Sequence, residues 1–296
     1  MLSSGSHLHV MAGLTLLAVL PLAACSVGRS AAPAAKTASQ PDRILAAPKG
    51  ILAAGQPQTN GAMWTLAGNA RSKGLFEFSL TSGHAIGSIS VSNAAQSMTE
   101  SLTGMLGLAL GTGKAGALEL LNGDTGAVAL TIPLGAPARE VVVGADGATF
   151  YVLNGSATSA SVTIVDSADG RISGTVPVPL DTVSIVPDVQ ETALYALQPS
   201  GDVSQIAIAG GKIMTSFPTG DSGRSLALSP DGSTLYVLKN GLTSANVAVV
   251  DLATESVRKV LPAPGNCLQV LVSANGNQLY QVVGSASYGN IQVVPL

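Results

Sequence analysis

Hydrophobic residues in this chain fall in short runs of about four to seven, cut by turns built from Gly, Asp, Asn and Pro. The stretch 224–263 shows the pattern best. Ser225–Ser229 reads as a strand, Pro230-Asp231-Gly232-Ser233 as a turn, and Thr234–Leu238 as a second strand. Pro presets φ, Asp bonds its own backbone and Gly accepts a positive φ, which is what such a turn needs. A loop, Lys239–Asn246, leads to a third strand, Val247–Val250, and Asp251–Glu255 turns the chain into a fourth, Ser256–Leu261. Residues 139–179 repeat this order almost position for position: Asp146-Gly147, then Thr149–Leu153, Val162–Asp166, Gly170 and Ile172–Val178.

The repeat keeps time over most of the chain. Turn glycines stand at Gly61, Gly104, Gly147, Gly232 and Gly276, at intervals of 43, 43, 85 and 44. The long interval is two periods, with Val189 placed where a glycine is missing. A second marker follows the same beat: Gly83, Gly126, Gly170, Gly211 and Glu255. Four short strands every 40–45 residues predict propeller blades. The count gives an all-β, six-bladed β-propeller with four antiparallel strands per blade. The sixth unit runs out at Val293-Val294-Pro295-Leu296, after its third strand. Residues 42–48 have no partner in unit one and read like Arg258–Pro264, so they are expected to complete blade six. Such closure covers edges that would otherwise recruit other chains.

The segments SPDGSTLYVLKN…ANVAVVDLATESVRKVLP and GADGATFYVLNG…ASVTIVDSADGRISGTVPV carry a Pro-Asp-Gly-like turn, a Tyr-Val pair and a strand ending in Asp. In these features the chain resembles the YVTN-repeat β-propeller family. Blade four departs from the pattern, with Val189 for Gly and Ala207 for Asp. Blades one and two show Trp64 and Leu108 near the Tyr-Val place. The resemblance implies the fold, and it permits a lactonase-like propeller hydrolase.

Ahead of the repeats, Val10–Leu22 is an uncharged apolar run of 13 residues, too short to span a bilayer and long enough for an export signal. It ends in Leu22-Ala23-Ala24-Cys25, which resembles the bacterial lipobox. The implied layout is a lipoprotein signal peptide at 1–24, a lipidated Cys25 with a flexible tether over 25–41, and the propeller at 42–296. The segment before the apolar run has no Lys or Arg, only His7, His9 and the amine, and Met11 offers a second start. An ordinary secretory signal with a coincidental cysteine is the alternative. The tether, small and Pro/Ala-rich, would span roughly 20–25 Å as a coil. Acyl chains at about 0.8 kcal/mol per buried CH₂ would hold the protein on the outer face of a bacterial plasma membrane.

Composition narrows the partners. Only 10% of residues are charged and the net charge is −3, which argues against nucleic acid as a major partner, since binding a phosphate backbone needs an extended basic face. Cys25 and Cys267 are the only cysteines. With Cys25 acylated there is no disulfide framework, and no spacing suits zinc or covalent haem. No cofactor or metal site is therefore expected, and a closed monomeric ring is the default. His84, the one histidine after Cys25, has no second histidine to join it. Cys267 reads as a small buried hydrophobe. Asp146, Asp231, Asp166, Asp251 and Asn122 each sit at a repeat's turn and are expected to bond their own backbone.

Seven residues before the turn Asp, each inner strand should begin beside the central channel. Those positions are Ala53, Gln96, Arg139, Asp181, Arg224 and Leu268. Gln96, Arg139, Asp181 and Arg224 form the candidate ligand site, with the two arginines flanking Asp181 and accepting a small anionic group. The bland alternative pairs Asp181 with the arginines over a water-filled channel. Loops 67–74, 154–160, 240–246 and 284–289 should share that face, with Arg71, Lys73, Lys114 and Lys239 nearby, and the segment 93–103 is expected to cap it as a connector. Three functions remain open: a non-enzymatic binding or scaffold module for a protein, peptide or envelope component, a lactonase-like hydrolase, and a sensor of a small anion.

Overall fold

The computed structural model describes residues 41, 43–58, 61–156, 158–241 and 244–296. The expected signal peptide, Cys25 and nearly all of the tether lie outside the described residues.

Six sheets of four antiparallel strands account for every strand described. Blade one holds β2 (Ile51–Ala54), β3 (Ala62–Gly68), β4 (Lys73–Ser79) and β5 (Ala85–Val91). In blade two are β6 (Ala95–Glu100), β7 (Met105–Thr112), β8 (Ala115–Asn122) and β9 (Val128–Leu134). Blade three comprises β10 (Ala138–Val143), β11 (Thr149–Gly155), β12 (Ala160–Asp166) and β13 (Ile172–Pro177). The fourth has β14 (Ser184–Pro187), β15 (Ala193–Leu197), β16 (Asp202–Ala207) and β17 (Ile213–Pro218). The fifth has β18 (Gly223–Leu228), β19 (Thr234–Asn240), β20 (Ala245–Asp251) and β21 (Ser256–Ala263). Blade six is β22 (Cys267–Val272), β23 (Gln278–Ser285) and β24 (Tyr288–Pro295), completed by β1 (Arg43–Ala47).

The first strand of the ring is thus the last strand of its final sheet. Arg43 faces Val293, Leu45 faces Ile291 and Ala47 faces Gly289. Inner strands touch their neighbours all the way round, β2 against β6, then β10, β14, β18, β22 and back to β2. The chain is a six-bladed propeller, as the repeat count predicts.

Its core is not one mass but six apolar clusters, each lying between two neighbouring blades. One joins Ile51, Met63 and Phe78 of blade one to Leu271, Val282 and Ile291 of blade six, with Leu45 of β1. The one between blades two and three packs Leu118 and Leu120 against Phe150 and Val152. Every blade therefore buries both faces of its middle strands, and the pattern there is a continuous apolar run rather than alternation: Tyr151, Val152 and Leu153 are all buried. Outer strands such as β13 and β17 expose most of their residues.

The turns follow the predicted chemistry. Asp146 Oδ1 accepts the N–H groups of Ala148 and Thr149 at 2.8 and 2.9 Å. Asp231 and Asp251 accept from Ser233 and Ala253 in the same way, both at 3.0 Å. The left-handed residue of the first turn is Gly61, Gly104, Gly147, Glu191, Gly232 and Gly276 in the six blades. Blade four thus keeps the beat through Glu191, with φ of 55°, and not through Val189. The second marker is left-handed throughout, Glu255 included at φ 51°.

The segment 93–103 is no connector. It is the inner strand β6 with its flanking turns, and Met98 is buried in the core. Its unusual polar content, Gln96, Ser97, Thr99 and Glu100, hides a strand that is apolar elsewhere.

Candidate functional site

Each inner strand opens with an irregular step. In blades one, two, three, five and six the pairing slips by one residue, and the residue skipped is Leu52, Gln96, Arg139, Arg224 and Leu268. Such a bulge turns a side chain out of the ladder. In blade four Val183 holds the place, its N–H donating to Leu197 O at 2.8 Å just before β14 begins. These six residues converge on a cavity of about 230 Å³ at the channel mouth.

Gln96, Arg139, Arg224 and Leu268 therefore stand where the spacing puts them. Blade one presents Leu52 in place of Ala53, one residue earlier. Blade four presents Val183, two residues after Asp181. Asp181 lies in the preceding turn, exposed, and its Oδ1 accepts from Gln198 Nε2 at 2.7 Å. It does not line the cavity. The offset is the two residues by which the next turn is longer in blade four: Val183 stands eight residues before the left-handed Glu191, as Arg139 stands before Gly147. Asp181 falls in the Pro179–Thr182 turn, which Thr182 N–H closes by donating to Pro179 O at 3.0 Å.

Arg139 and Arg224 consequently flank an apolar residue. Among the described residues the one ion pair is Arg258 with Asp251, at 3.8 Å on the rim, so neither mouth arginine is neutralised by a carboxylate. Glu140 is the acidic residue of the mouth lining, and it is already engaged. Ser184 Oγ donates to one of its oxygens at 2.9 Å and Ile185 N–H to the other at 2.7 Å. Burial pushes its carboxyl up to about 7, against the pull of those two donors.

Glu140 belongs to a second ring one residue deeper, which the sequence reading missed. The side chain at each of these places accepts an N–H from the inner strand of the next blade. Val141 N–H donates to Ser97, Ile185 to Glu140, Leu226 to Ser184, Val270 to Ser225 and Ala54 to Gln269, at 2.7–3.3 Å. Gln269 also returns a bond from its amide to Ala54 O at 3.2 Å. Inner strands have no fifth strand to pair with, and these side chains satisfy amides that would otherwise face the channel unpaired. Ala53 fills the place in blade one and has no oxygen to offer. The signal was present in the spacing: Ser97, Glu140, Ser184, Ser225 and Gln269 follow the 43-residue beat.

The loops on this face hold blades together as well. Lys73 Nζ donates to Ala95 O of the next blade, and Lys239 Nζ to Thr219 O at 2.9 Å. Asn240 Nδ2 donates to Cys267 O at 2.9 Å. Of the basic residues near the mouth, Arg139, Arg224, Arg71 and Lys114 remain exposed. Cys267 is buried, and burial pushes its thiol up to about 12, so it packs as an apolar residue. His84 is exposed in the turn between β4 and β5, on the opposite face. No three His, Cys, Asp or Glu residues come together in a metal-binding group among the described residues.

No known family model matches this chain. A protein of Mycobacterium tuberculosis described as a seven-bladed beta-propeller protein is similar to it, with 29% identity over 152 residues. The match takes in 49% of this chain and 38% of that relative's length. It agrees with the propeller seen here, and the seventh blade is that protein's own.

Proposed function

We propose that this protein is a non-enzymatic binding module of the bacterial envelope, which takes an anionic group of its partner at the channel mouth. The observation that carries this reading is the placement of Arg139 and Arg224 beside Val183, with no carboxylate among the described residues paired with either one. A guanidinium gives two parallel donors to a carboxylate or phosphate. Val183, Leu52 and Leu268 in the same ring suit an acidic group carried on an apolar stem. The partner is a peptide, protein or envelope component. The repeat is of the YVTN kind. The domain layout is a signal peptide at 1–24, a lipid-bearing Cys25 and tether to residue 41, and the binding ring from residue 42.

The test is a thermal-shift titration of wild type and the Arg139→Ala/Arg224→Ala double variant with hexanoate and inorganic phosphate, beside crosslinking in the intact envelope. Anion-dependent stabilisation and a crosslinked partner, both lost in the double variant, are the expected result. The same partner and the same anion response in both forms would reject the arginine site. Turnover of a lactone or ester panel by the wild type would move the reading to a hydrolase. Labelling with an alkyne fatty acid, abolished by Cys25→Ser, tests the anchor separately.

A further inference from the structure

On the face opposite the mouth lies a cavity of about 450 Å³ between blades one and two. No side chain fills it from the turn of either blade. At the junction of blades three and four, the left-handed turn residue is Glu191, whose side chain reaches back and fills the gap beneath Tyr151. Between blades one and two the same place is Gly104, and a Cβ there would meet no atom within 4 Å. The gap stays open. Trp64 takes the place of Tyr151 as one wall, and Glu77, Glu100 and Asp124 supply the rest of its charge, with no basic residue in the lining.

The carboxylates are not idle surface groups. Glu100 is 7% exposed, and its Oε2 is buried with no hydrogen-bond partner among the described residues. A lone buried carboxylate oxygen is costly and is normally satisfied. Gln58 bonds the same side chain, and Glu77 sits close enough to repel it. Burial first and Glu77 second hold the Glu100 carboxyl up at about 7. Glu77 lies directly across from Trp64 on the neighbouring strand. A cation placed between Glu77 and Glu100 would satisfy the orphaned oxygen, relieve the repulsion and lie against an aromatic wall. The acidic side chains do not gather as a set of three metal ligands, and an indole wall favours an organic cation over a bare metal ion.

We propose that this cleft is a binding site for a primary alkylammonium group, as carried by a lysine side chain or a polyamine. Glu77 and Glu100 take the ammonium, and Trp64 takes the methylene stem. The site is separate from the arginine mouth and does not depend on the function assigned there.

Trp64 is the chain's one tryptophan, so fluorescence excited selectively at the indole, beyond tyrosine absorption, reads this cavity alone. The protein is titrated at pH 8 with cadaverine, with Nα-acetyl-lysine amide and with neutral 1-butanol. A saturable change with either amine and none with butanol is expected, and the tighter of the two amines identifies the source. Glu100→Gln, close to isosteric, should weaken binding by about tenfold or more. Asp124→Asn, at an exposed position, should weaken it less and guards against a folding defect in the first variant. Butanol binding as well as the amines, amine affinity unchanged in Glu100→Gln, or no saturable response in folded wild type would each overturn the site.

Discussion

The hydroxyl of Tyr151 in blade three donates to Glu191 Oε2 in blade four at 2.8 Å, although Glu191 sits in a backbone conformation that favours glycine. Its other oxygen accepts Asp146 N–H at 2.8 Å. Gly144 leaves the room, since a Cβ there would lie 2.5 Å from Glu191 Oε1. Left-handed backbone costs a non-glycine residue about 1–2 kcal/mol, and two charge-assisted bonds at about 1.5–3 kcal/mol each exceed it. Glu255 repeats the device, reaching Thr215 of the preceding blade at 3.0 Å.

From this balance, Glu191→Ala should be worse than Glu191→Gly. Alanine keeps the strain and loses both bonds, at a cost of about 3–6 kcal/mol, whereas glycine also releases the strain and costs about 1–2 kcal/mol less than alanine. Urea unfolding of both variants, each with and without Tyr151→Phe, checks the order and the coupling. Equal stability of the two variants would remove the backbone argument.

The ring of inner-strand bonds has a gap at Ala53. Ala53→Ser places an oxygen where Ser97, Ser184 and Ser225 have theirs, within reach of the next blade. A gain of about 0.5–1 kcal/mol is expected from one added bond. Conversely, Gln269→Ala strips both the N–H and the C=O of Ala54 of their partner, and should cost about 1–3 kcal/mol. Denaturation midpoints of the two variants should move in opposite directions.

Stability should fall as pH rises from 5 to 8. Glu100 and Glu140 titrate at about 7 in the folded chain against an ordinary 4.5. Between those values the native state holds protons that the unfolded chain has lost, so the slope of stability against pH is negative there. The stabilisation is complete below about 4.5 and gone above about 7. Glu140 is partly open to the mouth, so the combined effect is reduced to roughly 1–2 kcal/mol. Asp146 and Asp231 are shifted downward, the latter to about 2, and act only at lower pH. Urea midpoints at pH 5, 6, 7 and 8 test this, and Glu140→Gln and Glu100→Gln should each flatten the curve. A midpoint that rises over the range would contradict the assignment.

Leu45 holds the closing strand in place, being 5% exposed and packed beside Ile291 and Val293, while its neighbour Ile44 is 58% exposed. Leu45→Ala should cost about 2–5 kcal/mol and Ile44→Ala within about 0.5 kcal/mol. Comparable losses from the two would mean that β1 is not docked as described.

The architecture was legible because each blade repeats the same turn chemistry, and glycines at positive φ mark it in sequence. Where one blade solves the same geometric problem differently, the marker fails. Glu191 supplies the left-handed residue of blade four, so counting glycines pointed to Val189. The mouth was legible to within two residues. Blade one carries one more residue between its bulge and its turn glycine, Leu52 to Gly61 against Gln96 to Gly104, which moved Ala53 to Leu52. In blade four the longer turn that puts Glu191 in the place of Val189 moved Asp181 to Val183 by the same two residues. The cleft under Trp64 was not legible at all. Trp64, Glu77, Glu100 and Gly104 meet only because two blades face each other, and its space comes from a side chain that is missing.

Pairing Arg43 with Val293 sets an order on biogenesis. Every nascent chain that has not yet released Tyr288–Pro295 keeps one sheet unfinished and the flank of β2 uncovered. Ring closure is therefore the latest and least local event in folding, and the slowest to be expected from chain topology. A partly emerged chain would need shielding from self-association until that seam zips shut.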